Sequence, residues 1–202
     1  ITGLNYQKQS NLTNSPYGSI DDELANYKTI DPYITAVFNS ASGFNLNAGA
    51  RLNNHTEYGN HWVYNVNPSF NFTNNFRAIS SISTAFIAPS TYQLFSQYGS
   101  LDLDPEEVQS MEAGLVFSLK DKLEFNSLFF YREEDNAIIL PDFIAYRNAE
   151  ETLIARGIET GVSINVFEDL GIKLGHTYTS KSSDLDYIPK NKFTALLETN
   201  CV

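Results

Sequence analysis

The stretch Phe44-Asn45-Leu46-Asn47-Ala48-Gly49-Ala50-Arg51-Leu52-Asn53 changes polarity at almost every residue. Successive side chains of a strand point to opposite faces. Phe44, Leu46, Ala48, Ala50 and Leu52 therefore share one face, and Asn45, Asn47, Gly49, Arg51 and Asn53 share the other. One face asks for an apolar surrounding and the other for water. Just before this run, Ser42-Gly43 marks a tight reversal. Further reversals are expected at Asn74-Asn75, Lys120-Asp121 and Glu168-Asp169. Longer connections fall between them, around 11–30, 54–61, 89–108, 133–153 and 181–190.

The same alternation extends along the chain. Trp62, Tyr64, Val66, Pro68, Phe70 and Phe72 oppose Val63, Asn65, Asn67, Ser69 and Asn71. Met111, Ala113, Leu115 and Phe117 oppose Glu112, Gly114, Val116 and Ser118, and Ile158, Thr160, Val162 and Ile164 oppose Glu159, Gly161, Ser163 and Asn165. Ten strands are expected, near 2–10, 31–41, 44–53, 62–72, 76–88, 109–119, 122–133, 154–166, 171–180 and 190–199. The segment 76–88 alternates poorly, with Ile79, Ile82, Phe86 and Ile87 spread over both faces. Pro68 lacks a donor and predicts a bulge or a locally unpaired position.

Short turns at one end and long loops at the other are the organisation of an outer-membrane β-barrel. The expected fold is all-β: an antiparallel up-and-down meander forming part of a transmembrane barrel. The same polar faces would suit a soluble β-sandwich. Aromatics fall in two bands. Phe38, Phe44, Phe72, Phe76, Phe117, Phe125 and Phe167 lie near the short turns. Tyr33, Trp62, Tyr64, Phe86, Phe130, Tyr131 and Tyr178 lie toward the long loops. Interfacial girdles have this placement.

Composition narrows the partners. The 202 residues carry 14 Phe, 12 Tyr and 1 Trp against 13 Lys plus Arg, and the net charge is −11. Nucleic acid is not an expected partner, because phosphate binding needs clustered cations. No apolar run is long enough for a transmembrane helix. Most of the 24 acidic residues lie in the long connections. They include Asp21, Asp22, Glu23, Glu57, Asp102, Asp104, Asp184 and Asp186, an acidic mouth suited to cationic or metal-bearing ligands. Asp102 and Asp104 form the best pair for a calcium ion, without EF-hand spacing. Pro105-Glu106-Glu107 predicts a short helical turn, with Pro early and carboxylates at its positive end. The single Cys201 forms no internal disulfide. The chain begins at Ile1 inside a strand-like segment without a signal peptide, so it reads as an internal or processed piece.

The segment Phe86-Ile87-Ala88-Pro89-Ser90-Thr91-Tyr92-Gln93-Leu94-Phe95 resembles a signature of TonB-dependent outer-membrane receptors. There, Phe-Arg-Ala-Pro-Ser/Thr leads from an ascending strand into an extracellular loop. The resemblance continues through Gly99-Ser100-Leu101-Asp102-Leu103-Asp104-Pro105-Glu106 and Met111-Glu112-Ala113-Gly114. It extends to Tyr146-Arg147-Asn148, Gly157-Ile158-Glu159 and Ile188-Pro189-Lys190-Asn191-Lys192. These landmarks follow family order from about residue 60 to 195. Ile87 replaces the usual basic residue, and the chain ends at Cys201-Val202 rather than at a terminal aromatic.

The resemblance implies a barrel of about 22 strands with a plugged lumen, of which residues 1–202 would supply about ten. The plug domain and the remaining strands would lie outside this segment. It also implies energy-coupled uptake of a scarce ligand, such as cobalamin, a siderophore or haem. Residues 94–106 look nearest to the vitamin B12 transporter branch. Implied partners are outer-membrane lipid, a TonB-type coupling protein acting through the plug, and a small-molecule or metal-chelate ligand. Expected ligand contacts on the loop are Tyr92, Gln93, Phe95, Tyr98, Asp102 and Asp104; no catalytic residue, resident metal or cofactor is implied. Two alternatives stay open. One is a complete ten-stranded outer-membrane enzyme, with His55 and His61 flanking Glu57 near the rim. The other is a soluble sandwich adhesin or lectin.

Overall fold

The computed structural model describes all residues except 12, 16–17, 21–24, 121, 168, 183–187 and 200–202. The acidic residues Asp21–Glu23, Asp184 and Asp186, the turn positions Asp121 and Glu168, and Cys201 lie outside the described residues. The strands are β1 (Thr2–Lys8), β2 (Thr13–Ser15), β3 (Gly18–Ile20), β4 (Lys28–Asn39), β5 (Phe44–His55), β6 (Gly59–Asn71), β7 (Phe76–Ile87), β8 (Glu106–Leu119), β9 (Leu123–Asp135), β10 (Ile138–Ile139), β11 (Arg147–Asn148), β12 (Leu153–Phe167), β13 (Leu170–Lys181) and β14 (Asn191–Thr199). One short helix, α1 (Thr91–Phe95), follows β7.

Ten strands form one sheet in the order β1-β4-β5-β6-β7-β8-β9-β12-β13-β14, each antiparallel to its neighbour. The expected meander is therefore the fold. It is a single wall, not two packed sheets, and the sandwich reading falls with it. The long strands of 12–15 residues reach about 40–50 Å at about 3.3 Å per residue, ample to cross a bilayer when tilted.

The register carries one face through the sheet. Phe44 pairs with Phe70, Phe70 with Ala78, Ala78 with Leu115, and Leu115 with Ser127. The large side chains of this face stand in the open: Phe38 is 56% exposed, Phe129 50% and Phe193 75%. An apolar surface of this extent is stable only against lipid. Near the short turns the rings of Phe70, Phe72 and Phe76 meet in series, edge-on at 5.0 Å and stacked at 5.4 Å, building one aromatic belt. Trp62 and Tyr64 stand exposed toward the other end.

The opposite face carries Asn45, Asn47, Asn65, Asn67, Ser81, Ser83, Glu112 and Glu159. Two of its rings lie over glycines. The Tyr33 ring covers Gly3 on the paired strand, and the Phe130 ring covers Gly157. A methyl group on Gly157 would sit 1.9 Å from the Tyr178 carbonyl oxygen and 2.6 Å from that ring. Gly114, opposite Ile79 and Leu128, is crowded by Leu128 in the same way. The broken alternation of 76–88 therefore places Ile79 beside a glycine on the polar wall.

Proline shapes the ladder as expected. The β6–β7 register is unchanged across Pro68 but pairing lapses at Asn67 and Pro68, so the position is unpaired rather than bulged. Ser81 Oγ donates to Asn67 Oδ1 at 2.7 Å across the gap. At the short end, Gly43 has φ +93°, and a Cβ there would lie 2.6 Å from the Asn71 carbonyl oxygen, so the reversal requires glycine.

Two expectations need correction at the long-loop end. The connection around 54–61 is not long: β5 runs to His55 and β6 starts at Gly59, leaving only Thr56-Glu57-Tyr58. His55 Nδ1 accepts the backbone N–H of Glu57 and Tyr58, and Gly59 takes φ +79°, which together close the hairpin. Nor does Pro105-Glu106-Glu107 open a helix. Glu106 begins β8, and its carboxylate accepts the Ile138 N–H at 2.7 Å. The ladder with β7 and β9 takes the backbone of Glu107 instead.

Candidate ligand-binding rim

The buried apolar side chains are Ala25, Leu94, Leu103, Val108 and Ala137, all at the long-loop end or its strand entry. The only packed core among the described residues thus lies in the loops that cap the wall.

The cap begins where Pro89 leaves the β7 ladder. Ser90 is the N-cap of α1. Its hydroxyl accepts the Gln93 N–H at 3.3 Å, and Gln93 Oε1 accepts the Ser90 N–H at 2.8 Å, a reciprocal capping box. Leu94 points inward from this turn. The chain then doubles back so tightly that a Cβ on Gly99 would lie 2.3 Å from the Leu94 carbonyl oxygen.

This loop is bound to the β9–β12 loop at several points. Asn148 Oδ1 accepts the Asp104 N–H, while its Nδ2 donates to the carbonyls of Asp104 and Asn136, at 2.9, 2.9 and 2.6 Å. Tyr146 N–H donates to Tyr98 O at 2.8 Å, and the Tyr146 ring meets Tyr92 edge-on at 6.2 Å. A second tie crosses toward β1. Gln9 Nε2 donates to Thr91 Oγ1 at 3.3 Å, and Tyr27 Oη donates to Gln9 Oε1 at 2.8 Å. Loops far apart in sequence form one shelf.

The expected contact residues divide on this shelf. Tyr92 is 60% exposed, and Asp102 and Asp104 are exposed. Phe95 and Tyr98 are half-buried beside the packed leucines, and the Gln93 side chain is engaged in the cap. Among the described residues no group of three His, Cys, Asp or Glu side chains gathers to hold a metal ion. Asn148, Tyr146, Thr91 and Gln9 were not among the expected site residues. Tyr146 and Asn148 were visible only as landmarks, since their partners on the loop that carries α1 lie 44 or more residues away.

The histidines considered for an enzyme hold structure instead. His55 is 4% exposed, with Nδ1 accepting two backbone N–H groups. It lies at the outer tip, beyond the Trp62 belt. Burial lowers its pKa, opposed by the Glu57 and Asp31 carboxylates and reinforced by His61. His61 stacks on Phe86 at 4.0 Å and contacts Glu107 Oε1 at 3.1 Å. On the polar wall below, a recess of about 390 Å³ is lined by Asn5, Tyr33, Thr35, Gly49, Arg51 and Asn65.

The family model described as TonB dependent receptor-like, beta-barrel matches residues 1–200. No curated protein matches the chain. Solved structures do. The siderophore receptor PirA from Pseudomonas aeruginosa is 24% identical, with a TM-score of 0.75 over 85% of this chain and 34% of that one. The siderophore receptor PirA from Acinetobacter baumannii is 16% identical, with a TM-score of 0.77 over 100% of this chain and 37% of that one. A mutant of the ferric enterobactin receptor PfeA from Pseudomonas aeruginosa is 18% identical, with a TM-score of 0.73 over 86% and 30%. At these identities the likeness is one of fold. The chain spans about a third of the length of these receptors.

Proposed function

The chain belongs to the TonB-dependent receptor β-barrel family of the bacterial outer membrane, and from that premise we propose that it is the wall and outer rim of a receptor for energy-coupled uptake of a scarce iron chelate. The observation that carries the proposal is the pairing of two surfaces. An apolar face stands exposed along the whole sheet, and a bonded loop shelf at the long-loop end leaves Tyr92, Asp102 and Asp104 exposed. A wall of this kind separates lipid from an aqueous lumen, and the shelf offers a capture surface at its mouth. Tyr92 and its neighbour Tyr146 supply flat apolar area, and the two free carboxylates supply charge. The siderophore receptors of similar fold support a chelate over cobalamin or haem as the ligand. Coupling would come from a TonB-type protein acting through a plug in the lumen.

The test is uptake by the full receptor in cells stripped of their own iron-chelate receptors. Labelled ferric catecholate, ferric hydroxamate, cobalamin and haem are supplied with and without the proton gradient. Gradient-dependent uptake of an iron chelate is expected. Uptake of cobalamin or haem alone would replace the ligand class, and the absence of gradient-dependent uptake would overturn the transport reading. Tyr92→Ala should weaken chelate binding about tenfold.

A further inference from the structure

The β5–β6 hairpin tip is held by two histidines with opposite requirements for protons. Tyr58 is the shared residue. Its N–H donates to His55 Nδ1 at 3.3 Å, and its carbonyl faces His61 Nε2 at 2.8 Å. His55 Nδ1 also accepts the Glu57 N–H at 3.2 Å, so that nitrogen must keep its lone pair. His55 Nε2 is then the N–H, and it is buried without a partner among the described residues. His61 is the reverse case. Nε2 meets a carbonyl and Nδ1 meets the Glu107 carboxylate at 3.1 Å. Both neighbours are acceptors, so both contacts are hydrogen bonds only when each nitrogen carries a proton.

We propose that this tip is a proton-sensitive latch, closed when His55 is neutral and released by acid through His55. The groups facing His55 are Asp31 from β4, Tyr27 before it, Glu57 and Tyr58 of the tip, and His61 from β6. Those facing His61 are Glu107 of β8, Phe86 of β7 and Tyr58, with Asp135 of β9 lining the same cleft. Burial disfavours the charged form of His55. Its contribution is therefore present above the ordinary imidazole range and lost as pH falls through its lowered value. The β5–β6 ladder itself contains no titrating atom and stays paired.

The latch is read by amide hydrogen exchange of Glu57 and Tyr58 in the full receptor in lipid nanodiscs, corrected for intrinsic exchange, between about pH 5 and about pH 8. Protection should be highest at the upper end of this range. On the acid side it should fall by up to about tenfold per pH unit between the ordinary imidazole range and the lowered value of His55, and level off below it. His55→Asn keeps a local acceptor for the same N–H groups without titrating, so it should retain protection and abolish the acid limb. Glu107→Gln, which alters only the His61 side of the tip, should leave the acid limb in place. Flat protection across the range in the unmodified receptor, or an acid limb that survives in His55→Asn, overturns the proposal.

Discussion

Ile34, Phe38, Phe129 and Leu174 stand on the wall with 50–56% of their surface exposed, while Leu94 and Leu103 on the rim are 3–4% exposed. The two regions solve the same polymer problem with different solvents. On the wall, the strands between the two edges satisfy most of their backbone groups through neighbours, and lipid takes the place of a core. On the rim there is water outside and no continuous ladder, so side chains must do both jobs. Leucines pack inward, and Gln93, Asn148 and Glu106 cap backbone groups that would otherwise be orphaned. Wall stability is therefore spread over many equivalent backbone bonds, whereas rim stability is concentrated in a few named side chains.

The largest expected effect breaks the wall from its lipid side. Ile158→Arg places a charge near the middle of β12, between Phe129 and Tyr178, and should cost about 2–4 kcal/mol. The adjacent Glu159→Arg, on the polar face, should cost less than about 0.5 kcal/mol. Reversible unfolding of the full receptor in liposomes measures both, and equal costs would refute the assignment of faces. Gly157→Val attacks the same strand from the lumen side. The added side chain meets the Tyr178 carbonyl and the Phe130 ring, with an expected cost of about 1–3 kcal/mol and a local loss of β12–β13 pairing seen by hydrogen exchange.

On the rim, Asn148→Ala removes three hydrogen bonds at once. It should cost about 1–2 kcal/mol locally, raising exchange at Asp104 and in residues 136–149 while the strand amides stay protected. If the strands loosen as well, wall and rim are one cooperative unit and the comparison fails. The smallest expected effect is Ser90→Ala, about 1 kcal/mol, confined to the amides of α1.

The wall was legible because its signal is local and repeated. Alternation in β5, β6 and β12, read with the reversals at Ser42-Gly43 and Asn74-Asn75, placed all ten strands and their order. Even the lapse at Pro68 could be read, since a missing donor is a property of one residue. The rim was much less legible. The shelf motif drew attention to Tyr92 through Asp104, but not to Asn148 as their clasp or to Gln9 as an anchor 82 residues from Thr91. The helix was expected at Pro105 and formed at Ser90, because Glu106 is drawn into β8 and its carboxylate to Ile138. The 54–61 connection shrank to a three-residue tip because His55 folds back onto it. The period of two in side-chain direction is imposed by each residue on the next, so the sequence alone determined an antiparallel wall with one apolar and one wet face. Which loops meet across that wall depends on how its strands curve and align the long connections, and only the tertiary structure decided it.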